Sequence, residues 1–229
     1  MTQRLRRRLN RFHVWLGWLV AVPLLLWTVS GLFMASFPIE QIRGAHLRRE
    51  MPPLDRAVLV PPQPGNRPIS SLTAEQQASG PRWVIAYADG SFARADGRTG
   101  KRVAAVDRRE ALAIARAAYA GAQAVQSVTF FAADANPLDL RRARPAWQVR
   151  HADGTNFYID SESGRLLAVR SSLWRVYDLM WGLHILDLQD REDTHHPLLY
   201  GLAAIAAAAV LLGTILLPLT LRRRRRMKS

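Results

Sequence analysis

Val14-Trp15-Leu16-Gly17-Trp18-Leu19-Val20 opens an apolar run that continues through Pro23, Trp27, Ser30 and Gly31 to Phe37 without one charged residue. Roughly 24 helical positions at about 1.5 Å each cross a bilayer core of about 30 Å. A helix packed in a water-soluble protein keeps a polar face, and this run has none. Phe12, Trp15 and Trp18 stand at one end, where amphipathic rings favour the headgroup level. A cleaved secretory signal also starts basic, but its apolar core runs about 7–15 residues before a small-x-small site. This run is longer and ends Met34-Ala35-Ser36-Phe37-Pro38, so an uncleaved span is expected.

Charge supports that reading. The 229 residues carry 32 Lys plus Arg and 18 Asp plus Glu, a net of +14. Arg4, Arg6, Arg7, Arg8 and Arg11 precede the first run, and Arg222 to Arg226 with Lys228 follow a second one. Removing those eleven leaves 21 basic against 18 acidic residues, all the latter between Glu40 and Asp193. The basicity thus belongs to two membrane flanks, which suit the cytoplasmic face and anionic lipid rather than nucleic acid. The second run, Leu198 to Leu221, is also uncharged and long enough to cross, with Pro197 suited to the first helical position. Gly201, alanines 203–204 and 206–209, and Gly213 give it a small-residue face. Such a face lets backbones approach closely in lipid, against the first span, a second copy of the chain, or both. Both termini are expected in the cytoplasm and residues 38–196 outside. With no cysteine, the sequence offers no disulfide, thiolate metal site, cysteine-ligated iron–sulfur cluster or cysteine nucleophile.

Between the spans an internal repeat stands out. Pro81, Trp83, Asp89, Gly90, Asp96 and Gly100 return 64 positions later as Pro145, Trp147, Asp153, Gly154, Asp160 and Gly164. A fixed period signals a duplicated unit. In each copy a strand around the tryptophan runs into an Asp-Gly hairpin turn, and a second strand ends at the next Asp…Gly turn. Between the copies, Asp107 is expected to cap a helix with Glu110 reaching back, Ala111, Leu112, Ile114, Ala115, Ala118 and Tyr119 to form its apolar stripe, and Gly121 to end it. Gln126 to Phe131 reads as a strand leading into a polar loop at 133–145. A short helix is expected near Thr73, where Gln76 completes a capping box.

The fold class is therefore an α+β membrane protein. The boundaries are a basic tail at 1–11, a first span at 12–37, a proline-rich connector at 38–70 and a soluble domain of duplicated hairpins with a packed helix at 71–170. An interfacial amphipathic helix and turn follow at 171–193, then a second span at 194–221 and a basic tail at 222–229. In the interfacial segment Trp174, Tyr177, Trp181, His184 and Leu188 recur at helical spacing, an aromatic stripe suited to the membrane interface.

The helix Glu110-Ala111-Leu112-Ala113-Ile114-Ala115, the strand with Trp147, and Phe157-Tyr158-Ile159-Asp160-Ser161-Glu162-Ser163-Gly164 resemble a PepSY domain, and Trp83 to Val103 resembles a degenerate second copy. Phe12-His13-Val14-Trp15-Leu16-Gly17-Trp18 and Thr28-Val29-Ser30-Gly31 are similar to the PepSY-associated transmembrane family. That resemblance implies a bacterial inner-membrane protein with a periplasmic domain. Longer family members include reductases that hold haem b between helices and pass electrons to ferric siderophores.

The resemblance makes the histidines the candidate ligands. Neutral imidazole can donate to iron while its other nitrogen is held by a neighbour. His13 matches the family's histidine at the cytoplasmic end of the first span. His184, His195 and His196 would make an outer site. His46 and His151 read as ordinary surface residues. About 24 helical residues separate His13 from His195, some 35 Å, so the two cannot share one haem. A haem at His13 would then need a second protomer, a partner protein or another ligand. Asp187, Asp190, Glu192, Asp193, His195 and His196 also cluster in one turn, a set of hard donors for a divalent ion.

Three functions fit these features: a haem-binding accessory or minimal redox protein in iron handling, a non-enzymatic anchored module that binds a periplasmic peptide or partner protein, and a membrane assembly factor docking through the alanine-rich helix. The implied partners are the lipid bilayer and a homodimer or redox partner on the second span. No glycine-rich phosphate loop or serine–histidine–aspartate pattern is present.

Overall fold

The computed structural model describes residues 3–55, 58–63 and 65–226. Pro64 of the connector and Lys228 of the basic tail lie outside the described residues. The chain forms two compact units, one of Met1–Phe37 with Val176–Ser229 and one of Pro38–Arg175.

The first unit is built on two long helices, α1 (Gln3–Ala35) and, at the end of the chain, α5 (Pro197–Arg226). Pro197 begins α5, and the described residues of both arginine-rich flanks are helical. Each helix is long and apolar enough to cross a membrane, and only 11% of each apolar window is buried. Trp15 and Trp18 are 76% and 79% exposed. Apolar surface left open on that scale is unfavourable in water at about 25 cal/mol per Å2, and lipid removes the penalty. The small residues of α5 meet α1: Ala206 and Ala209 bury against Val20, with Leu16, Leu24, Trp27 and Ile205 around them. Further along, Gly213 faces His13, whose ring would come within 2.8 Å of a Cβ at that position. As positions rise on α5 they fall on α1, so the helices are antiparallel and their basic ends lie together.

The second unit opens with the short helix α2 (Ile39–Ile42) and a 3-10 turn (Ala45–Leu47). Two antiparallel four-stranded sheets follow. The first is β1 (Ile69–Gln77), β2 (Gly80–Tyr87), β3 (Phe92–Asp96) and β4 (Arg102–Val103); the second is β5 (Val125–Phe131), β6 (Ala146–His151), β7 (Asn156–Asp160) and β8 (Leu166–Arg170), each in chain order. Helix α3 (Arg108–Ala118) separates them.

The repeat holds to the level of single pairs. Arg82↔Asp96 through Ala86↔Phe92 in β2–β3 become Ala146↔Asp160 through Arg150↔Asn156 in β6–β7, all at an offset of 64. The turns repeat too. Oδ1 of Asp96 accepts the N–H groups of Arg98 and Thr99, and Oδ1 of Asp160 accepts those of Glu162 and Ser163. Gly100 and Gly164 close these turns at φ 68° and 72°, where a side chain would be strained. Trp83 Nε1 donates to Val60 O at 2.8 Å and Trp147 Nε1 to Val106 O at 2.7 Å. Val60 N and Val106 N in turn donate to Gly97 O and Ser161 O, again 64 apart. Even the following helix is repeated. Asp107 caps α3 by accepting from Glu110 N, and Ser171, 64 positions on, accepts from Trp174 N at the start of α4 (Ser172–Ile185).

Four expectations are corrected. Thr73 lies in β1, not in a helix, because Leu72, Thr73 and Ala74 pair with Ile85, Val84 and Trp83. Glu110 does not reach back to its cap; Arg94 takes both its oxygens at 2.7 Å. Helix α3 stops at Tyr119, which turns extended to lay its ring on His151 and Phe157, rather than at Gly121. The aromatic stripe of α4 ends at His184, because Leu188 lies exposed past the helix end; Trp174 is buried with Arg170 stacked at 4.1 Å, while Tyr177, Trp181 and His184 are half-buried and Trp181 Nε1 donates to Arg191 O. Val176 and Leu179 are the exposed apolar positions of α4, while Asp178 is buried in an ion pair with Arg191 at 2.6 Å.

The second sheet carries the core. On one face Val149, Phe157, Ile159 and Val169 pack under Ala111, Ile114, Ala115 and Ala118 of α3. On the other, Tyr158, Ala146 and Ala168 pack on Leu140 of the 133–145 loop. The turn between β7 and β8 docks on the first sheet, where Gln77 Nε2 donates to Ser163 O and Arg165 pairs with Glu75.

Candidate functional site

The sequence-derived candidates fall in the first unit, and their surroundings differ. His184 is half-buried on α4 and meets α1 at Ser30 and Gly31. Ser30 is 1% exposed; its Oγ lies 2.6 Å from Leu26 O and 2.9 Å from His184 Nδ1. A hydroxyl carries one proton, and the shorter bond assigns it to Leu26 O. Ser30 then accepts from His184, which places hydrogen on Nδ1 and leaves the lone pair on Nε2. A neighbour that fixes the tautomer this way is what a ligating histidine has.

His13 has a buried Nδ1 with no partner, and its ring packs against Gly213. It lies 17 positions along α1 from Ser30, about 25 Å of helix. Two axial nitrogens of one haem sit about 4 Å apart, each bond being near 2 Å. His13 and His184 of one chain therefore belong to separate places. His195 is exposed; its Nδ1 lies 3.0 Å from Thr194 Oγ1 and its ring 6.3 Å from Tyr200. His196 Nε2 bonds Ile185 O at 2.9 Å, which makes that nitrogen a donor. His184 and His196 thus each have one nitrogen committed, to different groups.

The acidic turn is organised around its own backbone. Asp187 accepts the N–H groups of Gln189, Asp190, Glu192 and Asp193 at 3.0–3.3 Å. Desolvation would raise its carboxyl, but those donors outweigh it and hold the group below the usual carboxylate range. Among the described residues no three His, Asp or Glu side chains converge in a group that could hold a metal ion.

In the second unit, His46 is exposed as expected, but His151 is not a surface residue. It is 1% exposed, stacked 4.2 Å from the Tyr119 ring and 5.3 Å from Phe157, with Nδ1 unpartnered. Burial pushes its imidazole below the ordinary value, against weaker opposing effects of the Thr155 backbone and Asp153. Tyr119 donates to Asp153 at 2.8 Å, and burial followed by that carboxylate pushes its phenol up to about 12. The repeat carried a signal for this position: His151 sits 64 residues after Tyr87, the buried ring at the end of β2. Ser30 had no local signal, since its partner is 154 residues away.

Fold and geometry together define an α+β protein with two membrane-length helices and a duplicated sheet unit. No family model matches the chain, and no curated protein or solved structure matches it either.

Proposed function

We propose that the chain is a PepSY-type protein of the bacterial inner membrane, anchored by α1 and α5, whose periplasmic sheet unit binds an extended segment of a peptide or partner protein. The antiparallel pairing of α1 and α5 supports this orientation, because it gathers both basic flanks on one side, where the positive-inside preference puts the cytoplasm. The observation that carries the binding role is the edge of β1. Among the described residues only β2 pairs with β1, and residues 69–73 are exposed along the open side. The exposed stretch at 69–73 of this strand offers main-chain donors and acceptors to an added strand. The test is a photo-crosslinking amino acid at Leu72 or Thr73 in cells. A discrete adduct there, absent with the probe at Asp134, supports the role, and equal labelling at all three sites refutes it. Reporter fusions at Gly154 check the side of the membrane.

A second reading rests on the bond between Ser30 and His184. In it the chain is a haem b-binding accessory of iron or ferric-siderophore handling, with Nε2 of His184 as one axial ligand. The other ligand would come from a second protomer or a membrane redox partner, met on the small residues of α5 left free by α1. Bound haem would supply one-electron transfer. Purified from haem-replete cells, the protein would then show a Soret band that His184→Ala abolishes. A colourless, folded preparation excludes this reading and leaves the first intact.

A further inference from the structure

At the C-terminal end of α3 the sheet unit holds a polar cavity of about 340 Å3, bounded by Arg49, Arg116, Tyr119, Gln123 and His151. Its rim is built by main-chain bonds. Arg49 N donates to Ala118 O at 2.7 Å, Ala120 N to Leu47 O at 3.0 Å, and Arg48 bridges Tyr119, so the segment after the 3-10 turn is pinned to the helix end. This puts two arginines on one cavity. Both are exposed, and among the described residues neither guanidinium has a hydrogen-bond or carboxylate partner. The nearby carboxylate, Asp153, is occupied by Tyr119 Oη and Thr155 N. The N–H groups of Gly121 and Ala122 bond no carbonyl among the described residues. The wall includes buried His151, whose Nδ1 is unpartnered.

The first copy of the repeat builds the same corner with other side chains. Tyr87 holds the register of His151, since Ile69↔Tyr87 answers to Val125↔His151. There the Arg67 guanidinium lies 3.8 Å over the tyrosine ring. Two residues before the first strand of the second copy stands Gln123 instead, the counterpart of Arg67. In the second copy the Tyr119 ring takes the place of that cation, 4.2 Å from His151, and its Oη donates to Asp153 as Arg67 donates to Asp89; Arg49 and Arg116 stand on the cavity that this ring pair walls.

We propose that this cavity binds a small oxyanion, a carboxylate or a phosphate, held between the Arg49 and Arg116 guanidiniums. Planar guanidinium forks match both groups, and the volume is at the lower end for small-molecule sites. The site is separate from the β1 edge and does not depend on a partner docking there.

The test is isothermal titration of the full chain in a zwitterionic detergent at pH 7, with sodium phosphate and, separately, sodium succinate. Saturable binding of either with Kd below about 1 mM is expected. Phosphate alone would identify a phosphate site, succinate alone a carboxylate site, and both a general oxyanion site; each supports the proposal. The Arg49→Ala/Arg116→Ala variant loses at least tenfold in affinity, while Arg98→Ala/Arg108→Ala, with the same charge change elsewhere, keeps it. Ala122→Asp, which sets a competing carboxylate on the rim, also weakens binding. Failure of both anions to bind, or a double variant at 49 and 116 that binds like the wild type with unchanged far-UV circular dichroism, overturns it.

Discussion

The two sheets share a frame and differ in filling. Where the second places Phe157, Tyr158 and Ile159, the first places Ala93, Arg94 and Ala95, at the same registers. Phe157 and Ile159 bury under α3, whereas Arg94, 2% exposed, reaches Glu110 of that same helix and Ala104 O. One copy therefore holds α3 by apolar contact and the other by an ion pair. The lesson is that Asp-Gly turns and strand pairing set the frame, while side chains at matched positions decide whether a copy becomes core or clamp.

The sharpest way to break this contrast is to make the second copy like the first. Phe157→Ala recreates Ala93 at its counterpart and removes a fully buried ring, at a cost of about 3–5 kcal/mol. Urea unfolding of the detergent-held chain measures the loss, and hydrogen exchange localises it to β6–β8 and α3. The next largest effect attacks the clamp. Glu110→Ala leaves Arg94 buried without its carboxylate, at about 3 kcal/mol. The pair also gives a pH dependence. Burial alone would raise Glu110, but the bonds and charge of Arg94 outweigh it, so its carboxyl titrates below its ordinary 4.5. A lowered carboxylate stabilises the fold above its unfolded value, and that contribution is lost as pH falls below about 4.5. Glu110→Ala flattens this acid limb; Phe157→Ala leaves it in place.

The contrast also explains what the sequence could and could not tell. The hairpins were legible because Asp89-Gly90 and Asp153-Gly154, with their partner turns, are local and keep one offset. β1 was missed because its offset is different. Ile69, Ser71 and Thr73 correspond to Val125, Ser127 and Thr129 at 56, with the same bulge after the first pair. The 133–145 loop adds eight residues between β5 and β6, which hides the match, and Ile69 to Gln77 is polar enough to read as a cap. The twin strand, rich in Val and Phe, was plain. The long apolar runs were legible from composition, and the pairing of Ala206 and Ala209 with α1 followed from their size. The sites were less so. Ser30 on His184 and Tyr119 on His151 join residues far apart in sequence, and only folding brings them together.

A smaller effect tests how far the duplication extends. Asp107 and Ser171 cap α3 and α4 at matched positions, so Asp107→Ala and Ser171→Ala should cost similar amounts, about 1 kcal/mol each. Equal losses in thermal unfolding would place the start of α4 within the second repeat. A neutral Ser171→Ala would confine the repeat to the strands, because the bond to Trp174 N would then contribute nothing.

The smallest effect separates Tyr87 from His151. Both end the second strand of their copy and both are buried, but only the histidine changes charge near neutral pH. Burial lowers the His151 value, so the folded chain keeps the ring neutral while the unfolded chain takes up a proton below about 6.5. The unfolded state then binds more protons, and stability falls as pH drops through that value. Asp153 and the Thr155 backbone oppose the shift without reversing it, which keeps the slope shallow. His151→Phe retains a ring against Tyr119 and Phe157 and has no proton to take up. Its unfolding midpoint should match the wild type at pH 7.5 and exceed it at pH 5.5. Parallel curves for the two proteins would mean that the second copy holds its histidine as indifferently as the first holds its tyrosine. The Glu110 limb lies lower on the pH scale, so the two titrations can be read from one series of melts.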